Sequence, residues 1–133
     1  KDVKSIYEGH EVAVHTLTHP NLTQCNDNEV IRQVETDRLK LSELVGYEIV
    51  GMAYPCGDND ERVADIIKNN TGVRYSRTIS SNNCFDVQKN LYRFNPTVYH
   101  LEFEKMMQLG KDFIELKPET PKIFFCALAT LST

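Results

Sequence analysis

No stretch of this 133-residue chain is basic enough to grip a phosphate backbone or apolar enough to cross a bilayer, and no two of its cysteines form a C-x-x-C pair. Each absence removes a class of function. The net charge of −4 argues against a nucleic-acid partner, and the lack of a long hydrophobic run argues against a membrane span. Cys25, Cys56, Cys84 and Cys126 lie too far apart for a zinc knuckle or ribbon. Disulfides would form if the chain were secreted, but buried free thiols in a reducing compartment are the expectation. The compartment is left open, with the cytoplasm favoured by the expected free thiols and secretion as the alternative. Internal repeats and low-complexity tracts are missing as well. A 41% hydrophobic content is ordinary for a globular chain, so one domain spanning residues 1–133 is expected.

What is present alternates between two periods. Residues 2–8 read as the tail of a helix closed by Gly9, and residues 12–15 as a strand. Asn26 and Glu29 form a capping-box-like start. After them Val30, Ile31, Val34, Leu41, Leu44 and Val45 follow at helical spacing until Gly46. Residues 47–53 are a predicted strand, broken by Pro55 and Gly57. Asp58 or Asn59 is placed to cap a helix carrying Val63, Ile66 and Ile67, which ends near Gly72. Residues 73–78 and 91–94 read as strands, 101–109 as a helix extendable to Phe113, and 123–127 as a final buried strand. The charged run 32–40 reads as a solvated helix face. Strands alternating with helices imply a parallel sheet with helices outside, because parallel neighbours need crossover connections. Ligand sites in such folds gather at the carboxyl ends of the strands.

Two loops with unusual chemistry fall at such ends. His15 and His19 stand three residues apart in His15-Thr16-Leu17-Thr18-His19-Pro20, directly after the apolar run Val12-Ala13-Val14. Pro20 disfavours the α conformation at His19, so the pair is not two ligands on one helix. The spacing instead predicts a strand delivering His15 at its end and a loop folding His19 back beside it. Two neutral imidazoles suit a divalent metal such as zinc, which needs at least one further ligand. The alternative is a strand-end histidine and a loop histidine bonded to backbone. The second loop is Ala53-Tyr54-Pro55-Cys56-Gly57.

These residues resemble the polysaccharide deacetylase family, the metal hydrolases similar to chitin deacetylases. The stretch 9–22, with its Gly9-His10-Glu11 lead-in and the loop after Pro20, resembles the family's second motif along its whole length. The stretch 53–57 resembles the third motif, R-x-P-Y-G; Arg77-Thr78 and Asn95-Pro96-Thr97 match features of a subset of the family. The resemblance implies an incomplete distorted (β/α) barrel, mainly parallel strands with helices outside. It implies a carbohydrate or small amide substrate and hydrolysis of an N-acetyl group. It also implies a divalent metal, with zinc foremost, held by His15, His19 and an Asp. In this family the metal polarises the acetamide carbonyl and a neighbouring Asp takes a proton from the attacking water. A third-motif backbone N–H, here that of Cys56, stabilises the oxyanion, and a histidine protonates the departing amine. His100, at a predicted strand-end loop, is a candidate for lining the site, with an ordinary loop histidine as the alternative. Tyr54 and Pro55 are expected to contact substrate, or Tyr54 to pack. His10 is expected to cap the turn before the strand.

The chain departs from the family pattern in three places. The first motif, T-F-D-D, which supplies the base and the Asp ligand, is not found; before His15 the carboxylates are Asp2, Glu8 and Glu11. The first barrel strands are expected to be missing with it. Ala53 occupies the third-motif Arg position, with Arg77 on the next strand as the expected replacement. After Phe125 the stretch 126–133 carries no histidine where the family has one. Loss of a general base alone removes about 10²–10⁴-fold of rate, so the expectation is an impaired or inactive deacetylase. The alternative is a non-catalytic carbohydrate-binding or self-associating α/β module. Unpaired strand edges invite pairing with another copy, so a homo-oligomer joined at its sheet edges is expected.

Overall fold

The computed structural model describes residues 2–127. Its elements are α1 (Val3–Ile6), α2 (Asp27–Val45), β1 (Gly51–Ala53), α3 (Glu61–Asn70), β2 (Tyr75–Arg77), β3 (Val98–Tyr99), α4 (Phe103–Glu115) and β4 (Cys126–Ala127). Every paired strand is parallel, β1 with β2 and β3 with β4. Single parallel bridges from Val14 to Met52 and from Arg77 to Phe94 flank the first pair. The ladder therefore runs Val14, β1, β2, Phe94, with α2 and α3 as the crossovers. This is the helix-and-parallel-strand architecture the alternation predicts. Among the described residues no helix is long and apolar enough to cross a membrane.

The long helix α2 starts and stops where the sequence places it. Asn26 Oδ1 accepts the Glu29 N–H at 2.9 Å, and Gly46 closes the helix at φ 77°, a left-handed conformation that glycine adopts without steric cost. Only half of the capping box forms. The Glu29 carboxylate turns away to Arg32 and Gln33 rather than back to the cap. Val30, Val34 and Val45 enter the core with Val14, Ile49, Met52, Tyr54, Val63, Ile67 and Val73, whereas Leu44 stays exposed.

Several strands are shorter than predicted, and in each case side chains take the backbone donors. The stretch 12–15 contributes one bridge at Val14. Val12 N–H donates to the Tyr47 hydroxyl and His15 N–H to Asp37, so neither neighbour extends a ladder. Within 47–53 only Gly51–Ala53 pairs as a strand; Ile49 N–H donates to Ser42 Oγ. Residues Leu91–Arg93 form a 3₁₀ turn capped by Asn90 rather than a strand, and Phe94 alone pairs. The cap of α3 is Asp60, because Asp58 is engaged by Thr23 and Asn59 by Gly57 and Arg93. Helix α4 begins at Phe103 and reaches Glu115, and the final strand is reduced to Cys126–Ala127. The stretch 128–133 of the histidine-free tail lies outside the described residues.

Candidate functional site

Bonds from α2 hold the loop that carries the two histidines. Residues Gln33 and Asp37 sit one turn apart on α2 and so project to one side. The Gln33 amide, 2% exposed, accepts the Thr18 N–H at 3.0 Å and donates to Thr18 Oγ1 at 2.7 Å. Asp37 Oδ2 accepts the His15 N–H at 3.0 Å. These two contacts correct the reading of 32–40 as a solvated face. Arg38 also leaves solvent, paired with Glu35, whose carboxylate accepts the Gly72 N–H and joins α2 to the turn between α3 and β2. The bond to Arg38 holds Glu35 below the usual carboxylate range.

Between the clamped residues the backbone turns sharply. Thr16 (φ 70°) and His19 (φ 56°) both occupy the left-handed region. For a β-branched residue such as Thr16 that is a genuine outlier, costing about 1–3 kcal/mol. The Thr16 hydroxyl accepts the His19 N–H at 3.2 Å, and the Gln33 bonds to Thr18 fix the turn from outside. The result folds His19 back beside His15. Their ring centroids are 4.8 Å apart at an interplanar angle of 68°, and both residues are exposed.

His15 Nδ1 lies 2.8 Å from the Ala53 carbonyl oxygen. A carbonyl can only accept, so Nδ1 carries the hydrogen and Nε2 presents its lone pair outward. A backbone carbonyl on the far ring nitrogen is the usual way a protein fixes the tautomer of a ligating histidine. The donor set ends at two, because no cluster of three His, Cys, Asp or Glu side chains fit to hold a metal is found among the described residues. Two imidazoles fit a divalent cation, but catalytic zinc sites use three protein ligands.

The other expected site residues fall into three places. Cys56 lies in the Pro55–Gly57 turn at the end of β1, exposed, at φ 52°. Pro55 is buried, and Gly57 adopts φ 68° where a Cβ would meet Ile79 at 2.4 Å. Tyr54 takes the packing role: it is 1% exposed and its hydroxyl donates to the Tyr92 carbonyl at 2.7 Å. Burial pushes its hydroxyl up to about 12. Arg77 pairs in register with Ala53 on the neighbouring strand. Burial lowers the pKa of its guanidinium, and no ion pair engages it among the described residues. His100 follows β3 of the second sheet, its ring edge-on to Tyr99 at 4.5 Å and its backbone N–H donating to the Ala127 carbonyl. His10 is exposed, its N–H closing the turn onto the Tyr7 carbonyl. The four cysteines are free; three are half-buried and Cys56 is exposed, which corrects the expectation of burial for that thiol. A groove of 540 Å³ runs between α3 and the Leu91–Arg93 turn, and neither histidine of the pair lines it. Sequence reasoning missed Gln33 and Asp37; their signal was the i, i+4 spacing of hydrogen-bonding side chains within a helix.

The sequence profile of polysaccharide deacetylases matches residues 1–76, more than half of the chain. The chain belongs to the polysaccharide deacetylase family. Solved structures of similar fold include a deacetylase of Streptococcus pyogenes in complex with acetate. It matches with a TM-score of 0.54 and 19% identity over 62% of this chain and 36% of that one. A polysaccharide deacetylase of Bacillus cereus matches with a TM-score of 0.59 and 19% identity, over 69% of this chain and 29% of that one. The chain thus spans about a third of the length of the deacetylase structures it matches.

Proposed function

We propose that this chain carries the two-histidine part of a polysaccharide deacetylase centre, and that His15 and His19 hold a divalent metal, zinc foremost. The observation that carries the reading is the edge-on pairing of the two rings, with His15 Nδ1 tied to Ala53 O and Nε2 left as the donor. When bound, such a metal supplies Lewis acidity toward an acetamide carbonyl and lowers the pKa of water. The chain's own contributions are the two imidazole lone pairs and a backbone N–H. That N–H belongs to Cys56, in the turn at the end of β1; Pro55 has none to offer. The substrate class is N-acetylated carbohydrate or a small amide, taken from family membership. The short parallel pairs are read as part of an incomplete (β/α) barrel, and residues 1–133 as one partial domain. Arg77, in register with Ala53 on the neighbouring strand, enters the proposal as a flanking cation, and His100, which follows β3 of the second sheet, as the acid.

Among residues 2–127 no third His, Cys, Asp or Glu joins the pair in a cluster fit to hold a metal, and the one carboxylate bonded to the loop, Asp37, is engaged by the His15 N–H, so the chain by itself is proposed to bind metal weakly and to hydrolyse poorly. Titration of zinc into the purified chain, followed by calorimetry, tests this. Weak binding that disappears in His15→Ala and in His19→Ala is expected, together with no acetate release from chito-oligosaccharides above the buffer control. Zinc binding indifferent to both substitutions would remove the metal reading. Acetate release that depends on His15 would instead remove the claim of impairment.

A further inference from the structure

The groove of 540 Å³ between α3 and the Leu91–Arg93 turn lies apart from the two histidines and has no part in the metal reading. One wall is a single face of α3, where Glu61, Asp65 and Lys68 follow at spacings of four and three, with the buried Ala64 among them. The other wall is the segment 89–93, which brings Lys89 and Arg93. A second hollow of 380 Å³, lined also by Gln88 and Asn95, shares Lys89, Asn90 and Arg93 with the first. Each alone has the size of a ligand site, about 300–1,000 Å³, so the two joined take an extended molecule rather than a single small one.

The charged side chains of this groove are left open. Among the described residues none of Glu61, Asp65, Lys68, Lys89 and Arg93 joins an ion pair. Asp65 and Lys68 stand three apart on one helix, where they could close on each other, and they do not. Four of the five side chains also make no hydrogen bond among the described residues. Arg93 is the exception. Its Nε donates to Asn59 Oδ1 at 2.8 Å, and Asn59 is in turn tied to the Gly57 carbonyl at 2.7 Å. The guanidinium is thereby held in place with its two terminal nitrogens open. Asn90 and Asn95 each engage their side-chain oxygen, with the Tyr92 N–H and the Thr78 hydroxyl, which leaves both amide nitrogens as donors.

Such a lining selects by chemistry. A polyanion is repelled by Glu61 and Asp65, and a polycation by Lys68, Lys89 and Arg93. An apolar chain would strip water from all five charges without replacing it. A hydroxyl suits both signs, since it donates to a carboxylate and accepts from an ammonium or guanidinium. Ala64, Leu91 (47% exposed) and Tyr92 add apolar surface, against which the C–H faces of a sugar ring can lie. We propose that the groove between α3 and residues 88–95 binds a neutral oligosaccharide, its hydroxyls bridging Asp65 to Lys89 and Arg93 and its ring faces resting on Leu91 and Tyr92. The site needs no metal and stands independently of what His15 and His19 hold.

Titration of N-acetylated chitotetraose into the ¹⁵N-labelled full chain in EDTA, followed by amide NMR shifts, provides the test. Saturable shifts concentrated in residues 61–68 and 88–95 are expected, unchanged between about 0.05 and 0.5 M salt because the ligand carries no charge. Asp65→Ala and Lys89→Ala, at exposed positions without hydrogen bonds, are expected to leave the far-UV circular dichroism as it is. Each is expected to raise the dissociation constant at least about 3-fold, and the two together at least about 10-fold. The double substitution His15→Ala, His19→Ala is expected to change nothing in this titration. Loss of the shifts in that double variant places the sugar on the histidine loop and overturns the proposal while leaving the metal reading standing. So does an absence of shifts up to about 20 mM sugar. A stronger response to tetragalacturonate, to the fully deacetylated tetramer or to the zwitterion glycylglycine also overturns it, because the groove would then select for charge.

Discussion

Asp37 illustrates how much of this site rests on residues that touch neither ring. Its carboxylate accepts the His15 N–H, and four residues earlier Gln33 holds Thr18 by both its oxygen and its nitrogen. Together they keep two non-glycine residues in left-handed conformations that would otherwise relax. Removing an acceptor from such a clamp acts through the ring it positions. Asp37→Ala is expected to lower zinc affinity about 10-fold or more in calorimetry, while Asp37→Asn, which keeps an acceptor oxygen, retains most of it. Equal affinity in Asp37→Ala would show that His15 is held by the Ala53 contact alone.

At the scale of the element, α2 was the most legible part of the chain. Asn26 and Gly46 bound it as their side-chain and backbone chemistry dictates, and the valines at helical spacing reach the core. Its electrostatics also predict an acid response. The Glu29 carboxylate is held down to about 2, first by its bond to Arg32 and then by that to Gln33. A carboxylate with a depressed folded pKa contributes stability that is fully present above its unfolded value of 4.5 and is lost as pH falls toward 2. Acid unfolding followed by circular dichroism should therefore be less steep between those limits in Glu29→Gln than in the parent chain. An unchanged slope would assign the acid response to other carboxylates, Glu35 first, whose pKa is lowered by its bond to Arg38. The short strands were less legible, because Tyr47, Ser42, Asp37 and Asn90 compete for backbone donors from elsewhere in the chain or from a local cap, as 12–15, 47–53 and 91–94 each show.

At the scale of the whole molecule the core is narrow. Met52 lies between the Val14 bridge and β2, 1% exposed, in the buried cluster that also holds Val30, Val34 and Val45 of α2. Met52→Ala is expected to cost about 2–5 kcal/mol, seen as a lowered urea midpoint with little change in slope. A change below about 1 kcal/mol would mean that the sheet repacks around the gap. In the second sheet the buried side chains are the smaller Val98 and Ala127. Its helix α4 reaches Cys126 through Met106 and sets Phe113 against Phe85 and Phe124, leaving Phe103, Met107 and Ile114 exposed.

Periodicity and local chemistry by themselves determined the parallel α/β order, the ends of α2 and the pairing of two imidazoles in one short loop, because each depends on residues near one another in sequence; the family was legible through the resemblance of 9–22 and 53–57 to its motifs. The tertiary structure alone decided which backbone donors join a ladder and that Tyr54 is core. It also decided that Gln33 and Asp37 hold the loop in which, as the spacing predicts, His19 lies beside His15. Those outcomes depend on hydrogen bonds across 15, 22 and 38 residues, a separation at which spacing carries no information.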